Sequence, residues 1–257
     1  MITAGIDIGM ENVKVVIMDG DRIIGRSKGL SGGAKRLAAS EAALEGALKE
    51  AGLKKEAIQA IAATGKGKFD VTFADKCVTE PITTAKAAKY LCPEATTAVD
   101  AGADETIVVT FGKEKLVQEM ALNEKCAAGV GIFLRTMARR LELTLDELSA
   151  SVPKAVGGAT VNDGCVVFAE LDALSLLKQG TPPKEVASAI IDAAAVRVCM
   201  TINDITNTAM DCVVLFGGLA KNSAFIQALQ AYTNTNFIIP EEAEYAGAIG
   251  AALAAAN

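Results

Sequence analysis

Short apolar runs separated by turn residues open the chain. The runs Ile2–Ile8 and Val13–Met18 predict two strands around a turn at Gly9. Asp19, Gly20 and Asp21 form a hairpin signal, so Arg22–Arg26 is expected to be a third strand. The further elements predicted before residue 95 are a helix at Ala34–Ala51, a strand at Ile58–Ala63 and a helix at Ile82–Leu91.

A second cycle of the same kind begins at Thr96. The strand Thr96–Asp100 is followed by a turn at 101–104 and a hairpin formed by Thr106–Phe111 and Lys115–Met120. Its aspartate, Asp100, corresponds to Asp7 in the first cycle. This repeat predicts a two-lobed α/β protein with a ligand cleft between the lobes. The remaining predicted elements are helices at Leu145–Ser151, Lys184–Asn207, Ser223–Gln230 and Ala246–Ala256, and strands at Cys212–Phe216 and Asn236–Ile239.

We expect the first lobe to comprise residues 1–95, closed by the C-terminal segment 241–257, and the second lobe to comprise residues 96–240. Within the second lobe, Cys126 and Cys165 each precede an apolar run with helical spacing. The positive end of a helix favours a thiolate, which is the form that binds soft metals and iron–sulfur clusters. Two such cysteines cannot supply four ligands in one chain, but two copies of the chain could. The alternative, that they are buried small hydrophobes, stays open because the sequence has no CxxC pair.

Composition narrows the function classes. The 257 residues include no histidine, which excludes imidazole bases and histidine-ligated metals. A net charge of −6 argues against a non-specific nucleic-acid surface. The N-terminus lacks the pattern of a signal peptide, and no apolar run approaches membrane-spanning length. We therefore expect a cytoplasmic protein whose six cysteines are reduced.

Three glycine-containing turns point to a nucleotide. Asp7 and Gly9 can orient a magnesium-bound water or phosphate, with Lys14 as a phosphate contact. Asp100, Gly102 and Asp104 repeat the arrangement, and Gly217 and Gly218 follow a predicted buried strand. The sequence contains no GxxxxGK[ST], so it is not a P-loop protein, and the turn at 101–103 is not the GxGxxG fingerprint of dinucleotide binding. Two further turn residues, Lys66 and Lys68, are interpreted as solvated, with contact to a phosphate or a partner as the alternative.

The order of these turns resembles the actin, sugar-kinase and heat-shock-chaperone superfamily. Within it, the chain resembles the activator ATPases (archerases) of 2-hydroxyacyl-CoA dehydratases and the ATP-binding subunits of benzoyl-CoA reductase. The resemblance runs nearly end to end. It is carried by GIDIG at 5–9, ATGKGK at 63–68, VDAGADE at 99–105, ALNEKCAAGVGIFL at 121–134, CVVFAE at 165–170, FGGLAKN at 216–222 and YAGAIGAAL at 245–253.

This resemblance implies a duplicated ribonuclease-H-like, actin-like ATPase fold that binds ATP or ADP with Mg²⁺. It implies a 4Fe–4S cluster shared by a homodimer or heterodimer, with Cys126 and Cys165 as ligands from each subunit. ATP hydrolysis would drive low-potential electrons, donated by reduced ferredoxin or flavodoxin, into an acyl-CoA dehydratase or benzoyl-CoA reductase. The residues matched to catalysis are Asp7, Asp100 and Asp104, and those matched to nucleotide binding are Gly9, Lys14, Gly102, Gly217, Gly218 and Asn222.

Two turns depart from the family pattern. Met10, Glu11 and Asn12 stand where the first turn usually has Ser or Thr, and the second turn has Ala103 in place of Gln. These changes keep two alternatives open: a non-hydrolysing nucleotide-binding subunit of a benzoyl-CoA-reductase-type assembly, and a small-molecule kinase of the same superfamily.

Overall fold

The computed structural model describes residues 1–112, 115–123, 129–152, 158–205 and 211–256. These ranges contain ten strands and eight α-helices. The strands are β1 (Ile2–Ile8), β2 (Asn12–Asp19), β3 (Arg22–Leu30), β4 (Ala60–Thr64), β5 (Lys76–Cys77), β6 (Thr97–Ala101), β7 (Thr106–Thr110), β8 (Glu119–Leu122), β9 (Val213–Phe216) and β10 (Phe237–Ile238). The helices are α1 (Arg36–Ala51), α2 (Glu80–Leu91), α3 (Val130–Arg140), α4 (Leu145–Ser151), α5 (Val166–Lys178), α6 (Pro183–Asn203), α7 (Ser223–Thr233) and α8 (Ala246–Ala255).

The first sheet has the order β3-β2-β1-β4-β5. Its strands β1, β2 and β3 form the antiparallel meander that the sequence predicts, and β4 joins β1 in parallel. Asp19 pairs with Arg22 across the first hairpin, and Gly20 has a φ of 59°, a conformation that glycine adopts without strain.

Successive side chains of β1 point to opposite faces of the first sheet. Ala4, Ile6 and Ile8 lie in one fully buried cluster with Leu44 and Ala47 of α1. The intervening residues face the other way, because successive strand side chains point to opposite sides. On that second face a Cβ at Gly5 would lie 1.9 Å from the backbone oxygen of Ala248 in α8. Asp7 shares this face and therefore lies on the α8 side of the sheet.

The second sheet has the order β10-β9-β6-β7-β8. Strands β7 and β9 are buried at every position, as expected of strands covered on both faces. The 21-residue helix α6 is buried along most of its length, and α3, α4, α5 and α7 all pack on it.

The chain divides into two compact units. Unit 1 comprises residues 1–98, 109–120 and 240–257, and unit 2 comprises residues 99–108 and 121–239. The predicted domain boundaries stay a prediction, since a compact unit is not by itself an independently folding domain. None of the helices in the described ranges has the length and apolar character needed to cross a membrane.

Most element boundaries differ from the predictions by a few residues, and the differences in β8, α6 and β5 follow. Strand β8 begins at Glu119 instead of Lys115, and the Lys115 carbonyl accepts from Gly112 N–H at 3.2 Å instead of pairing in the sheet as predicted. Helix α6 ends at Asn203 instead of Asn207. The two-residue strand β5 is too short to leave an alternating pattern, and it was not predicted.

Candidate functional site

Asp7 and Lys14 form an ion pair at the first turn of unit 1. The two residues are paired in register on β1 and β2, and Lys14 Nζ lies 3.6 Å from Asp7 Oδ2. Their side chains are only 18% and 16% exposed, so water screens the charges weakly. Gly9 closes the turn by donating its N–H to Asn12 O at 3.0 Å. Asp7, Gly9 and Lys14 were predicted to form one site, and the structure places them next to each other. Their roles toward a nucleotide stay predictions.

Two glycines that sequence reasoning did not select enclose the Asp7 carboxylate. A Cβ at Gly65 would lie 2.6 Å from Asp7 Oδ1, and a Cβ at Gly247 would lie 2.9 Å from Asp7 Oδ2. Gly65 has a φ of 86°, a conformation that favours glycine, so the local sequence Thr-Gly-Lys already indicates a turn here. Gly247 lies in the YAGAIGAAL run that carries the family resemblance, but the local sequence does not indicate its contact with Asp7, because that contact joins opposite ends of the chain.

Lys68 holds the turn that contains Gly65. Its Nζ donates to Gly65 O at 3.3 Å and to both carboxylate oxygens of Glu80 at 3.2 Å. The Lys68 and Glu80 side chains are 15% and 20% exposed. The interpretation of Lys68 as a solvated turn residue was therefore wrong: it ties the turn after β4 to the start of α2.

The hydroxyl of a residue just after β3 reaches the altered first turn. Ser31 Oγ donates to Met10 O at 2.9 Å, and Ser31 N–H donates to Glu11 O at 2.8 Å. Ser31 is 2% exposed and lies just after β3. The turn without Ser or Thr of its own is thus fixed by a serine about twenty residues further along the chain.

In unit 2 the second aspartate turn lies against the Gly217–Gly218 turn. Gly217 has a φ of 92°, and a Cβ there would lie 2.7 Å from Asp100 Oδ1 and 2.3 Å from Ala101 O. Gly102 N–H closes its own turn by donating to Glu105 O at 3.0 Å. The structure therefore brings together two of the three predicted nucleotide turns, at the ends of neighbouring strands β6 and β9.

The same turn is bonded directly to helix α3. Gly131 N–H donates to Gly102 O at 3.2 Å, and Ile132 N–H donates to Ala103 O at 2.9 Å. Gly129, the residue before α3, approaches so closely that a Cβ would lie 2.0 Å from Asp104 O. The first amides of a helix have no partner within the helix, and here the turn carbonyls satisfy two of them.

Asn222 caps helix α7. Its Oδ1 accepts from Phe225 N–H at 2.9 Å and from Ser149 Oγ at 2.9 Å. Gly218 begins the short 3₁₀ turn that leads into this cap. The nucleotide contacts predicted for Gly218 and Asn222 stay predictions, and the cap adds a structural reason for Asn222 at this position.

Cys165 occupies the N-cap of α5, as the sequence predicts. Asn162 Oδ1 accepts from the Cys165 N–H at 2.6 Å and from the Gly164 N–H at 3.0 Å, which fixes the loop before the helix. Hydrogen bonds from the Phe168 and Val167 backbone amides lower the pKa of the Cys165 thiol; the Arg197 charge lowers it further and burial opposes the shift. A thiol poised to ionise suits a metal-ligating thiolate.

The second predicted ligand, Cys126, lies outside the described residues. Across the described ranges, no group of three or more Cys, Asp and Glu side chains is placed to hold a metal ion. Cys165 alone thus fits a cluster ligand chemically, and a complete ligand set requires residues beyond the described part of one chain.

Helix α5 exposes much of its apolar surface. Val167, Phe168 and Leu171 are 58–59% exposed, and Leu174 is 41% exposed. The residues of α5 that are buried are alanines, Ala169 and Ala173. On the other side, Glu170 Oε1 accepts from Arg140 Nε of α3 at 2.9 Å. The apolar spacing therefore predicted the helix correctly, although this stripe faces away from the core.

The chain matches a known protein family along nearly its whole length. The model of the BadF/BadG/BcrA/BcrD ATPase family matches residues 4–255. The chain is 34% identical over 259 residues to the activator of lactoyl-CoA dehydratase from Anaerotignum propionicum, covering 98% of this chain and 96% of the relative. It is 32% identical over 263 residues to a benzoyl-CoA reductase subunit from Thauera aromatica, covering 98% and 92%.

Solved structures support the fold class. The activator of the 2-hydroxyisocaproyl-CoA dehydratase from Clostridium difficile with bound ADPNP has a TM-score of 0.90 at 30% identity, covering 99% of this chain and 94% of that one. A ROK family glucokinase from Streptomyces griseus, at 14% identity and a TM-score of 0.64 over 100% and 99% of the two chains, shares the fold alone. The predicted two-lobed α/β fold of the actin and sugar-kinase type is confirmed, and the chain belongs to the BadF/BadG/BcrA/BcrD ATPase family.

Proposed function

We propose that the protein is an ATP-dependent activator that delivers low-potential electrons to an acyl-CoA dehydratase or a benzoyl-CoA reductase. The electrons would pass through a 4Fe–4S cluster shared by two subunits, with Cys126 and Cys165 as the ligands from each. Support for the activator role comes from family membership and from relatives that are named as dehydratase activators. Support for the cluster comes from the N-cap position of Cys165 and its lowered thiol pKa.

The observation that carries this proposal is the bonding of the second aspartate turn to α3. Gly129 follows Cys126 closely in the sequence and packs on the Asp104 backbone. The carbonyls of Gly102 and Ala103 bind the first amides of α3. A nucleotide that repositions this turn on hydrolysis would therefore move the start of α3, and with it the chain that carries Cys126. Coupling of this kind requires an element with two discrete arrangements that the nucleotide biases.

The chemistry assigned to the aspartate turns is phosphate and metal handling. Asp7 and Asp104 would orient Mg²⁺-bound water, and Lys14 would neutralise phosphate charge. The cluster would supply one-electron transfer when bound. The backbone amides of Phe168 and Val167 lower the pKa of the Cys165 thiol and would therefore stabilise its thiolate.

A second candidate function is a nucleotide-binding subunit that does not hydrolyse ATP. The observation that favours it is Ala103, whose methyl group cannot position a water as an amide side chain would. Tight ADP and ATP binding without turnover, with partner proteins present, would favour this candidate. ATP turnover by the isolated chain would exclude it.

The test is anaerobic purification followed by iron analysis and electron paramagnetic resonance. We expect about four irons per dimer and a signal from the reduced cluster. Cys165→Ser should lose both. Cys199→Ser is the matched control, because Cys199 is also partly exposed and lies on α6, and it should retain both. Unchanged iron in Cys165→Ser would refute the cluster assignment.

A further inference from the structure

The Asp7 carboxylate is held between two backbone segments that have no side chain where they touch it. On the Oδ1 side stands Gly65, and on the Oδ2 side stands Gly247 in the first turn of α8. Lys14 Nζ, 3.6 Å from Oδ2, supplies the compensating charge. A carboxylate enclosed in this way has little freedom to rotate away from its orientation.

Gly65 and Gly247 differ in the atoms that an added side chain would contact. At Gly65 a Cβ would also lie 2.4 Å from the Ile8 backbone oxygen, and its φ of 86° strains any other residue. At Gly247 the nearest atoms all belong to Asp7: Oδ2 at 2.9 Å, Cγ at 3.0 Å and Cβ at 3.4 Å. Gly247 does not have a positive φ. Gly247 can therefore accept a methyl group with regular backbone geometry, provided that the Asp7 side chain moves.

Helix α8 is packed closely on two neighbouring elements. A Cβ at Gly5 would lie 1.9 Å from Ala248 O, and one at Gly250 would lie 1.9 Å from Thr83 O, so α8 already touches β1 and α2 backbone to backbone. The segment before α8 is also tethered, because Lys28 Nζ binds Glu244 Oε2 at 2.9 Å. Arg26 forms a second ion pair, with Glu242.

We infer that Gly247 is a positioning residue for Asp7: the absence of a side chain in the first turn of α8 sets where the carboxylate stands for the metal-bound nucleotide. The inference rests on the proposed role of Asp7 in handling Mg²⁺ and phosphate. It assigns a part in the ATP site to the C-terminal helix, although α8 offers no side-chain ligand at this position.

The test is Gly247→Ala in the full-length chain. A misplaced catalytic group lowers turnover more than substrate binding, and a displacement of about 1 Å can cost about a hundredfold. We expect kcat for ATP hydrolysis to fall by about tenfold or more, the KM for ATP to change less than about threefold, and half-maximal activity to require more Mg²⁺. Wild-type kcat and Mg²⁺ dependence in a folded Gly247→Ala protein would overturn the inference.

Asp7→Ala provides the matched background, because it removes the side chain that the new methyl would displace. There, Gly247→Ala should cause no further loss of activity. Alanine is also favoured over glycine in helices. The melting temperature should therefore rise by about 2–4 °C in the Asp7→Ala background, and rise less or fall in the wild-type background. An equal shift in both backgrounds would overturn the inference.

These two readouts separate the inference from the proposed function. If the wild-type chain hydrolyses no ATP, the ATPase assignment fails. The melting temperatures of the wild-type, single and double variants then still show whether Gly247 and Asp7 are coupled. If wild-type ATP hydrolysis is robust but the two substitutions act independently, the inference alone fails.

Discussion

Replacing Gly131 by alanine should disturb the junction between the second aspartate turn and helix α3. Gly131 N–H donates to Gly102 O, and the added Cβ would lie 2.8 Å from Ala103 Cα and 3.0 Å from Gly102 O. Both nearest atoms belong to the backbone of the turn, so a side-chain rotation cannot relieve the contact. Either the turn or the first turn of α3 must move.

The expected size follows from these distances. Cβ contacts in folded proteins are rarely shorter than about 3.4 Å, so the junction must open by roughly 0.5 Å. Overpacking of this kind costs about 1–3 kcal/mol, and a weakened backbone hydrogen bond adds about 0.5–1.5 kcal/mol. Better helix propensity returns up to about 1 kcal/mol. The net loss should be about 2 kcal/mol, or a fall of about 4–8 °C in melting temperature.

The functional assay compares the nucleotide response of the cluster in the two proteins. If the turn drives α3, the reduced wild-type protein should give different paramagnetic spectra with ADP and with a non-hydrolysable ATP analogue. Gly131→Ala should keep its iron, but this difference should shrink or vanish. Gly46→Ala is the control, because it is another helical glycine and its nearest neighbour is the Ser27 side chain at 3.1 Å.

One result would refute the reasoning. If Gly131→Ala binds nucleotide, keeps its iron and shows the full wild-type spectral difference, the bonds between this turn and α3 do not transmit the state of the nucleotide. Loss of iron in Gly131→Ala alone would instead mean that the junction is needed for iron binding and does not relay the state of the nucleotide.

Three further predictions concern single side chains. Lys68→Met should lower the unfolding free energy by about 2 kcal/mol, because its ion pair with Glu80 is largely buried. Asp70→Asn is the control: its pair with Arg36 is half-exposed, so the loss should be under about 0.5 kcal/mol. Equal losses in urea denaturation would contradict this prediction. Leu171→Glu should change the unfolding free energy by less than about 0.5 kcal/mol, because Leu171 is 58% exposed, while Leu134→Ala at a fully buried site should cost about 2–5 kcal/mol. Because the Cys165 pKa is lowered in the folded state, its thiolate persists as pH falls below the range of an ordinary thiol. Iodoacetamide should therefore label Cys165 in iron-free native protein at a lower pH than in denaturant, as read by mass spectrometry, and coincident pH profiles would refute the shift.

Local pattern determined most of the elements and part of the site. Asp7 and Lys14 face each other because the strand–turn–strand signal at Gly9 fixes an antiparallel register, and a register fixes which side chains meet. Cys165 was predicted at a helix start, since the apolar spacing of α5 begins directly after it. Such features depend on residues near each other in the chain, so the sequence carries them.

The surroundings of α5 and of Lys68 depend on tertiary packing and not on short-range pattern. Helical spacing marks the apolar stripe of α5 but does not say what covers it, and Leu171 is exposed. The Gly-Lys-Gly-Lys turn looks solvated, yet Lys68 is largely buried against a carboxylate twelve residues away. Burial depends on how whole elements pack, and periodicity contains no information about the neighbouring element.

The sequence by itself determined the repeated strand–turn–strand modules, the aspartates at their turns and the cysteine at the start of α5, because each depends on short-range backbone preference. Only the tertiary structure decided that Gly247 lies against the Asp7 carboxylate and that the carbonyls of Gly102 and Ala103 accept hydrogen bonds from α3. The reason is physical: a missing side chain has meaning only through the atoms that occupy its space. Those atoms come from distant parts of the chain, brought within contact by packing.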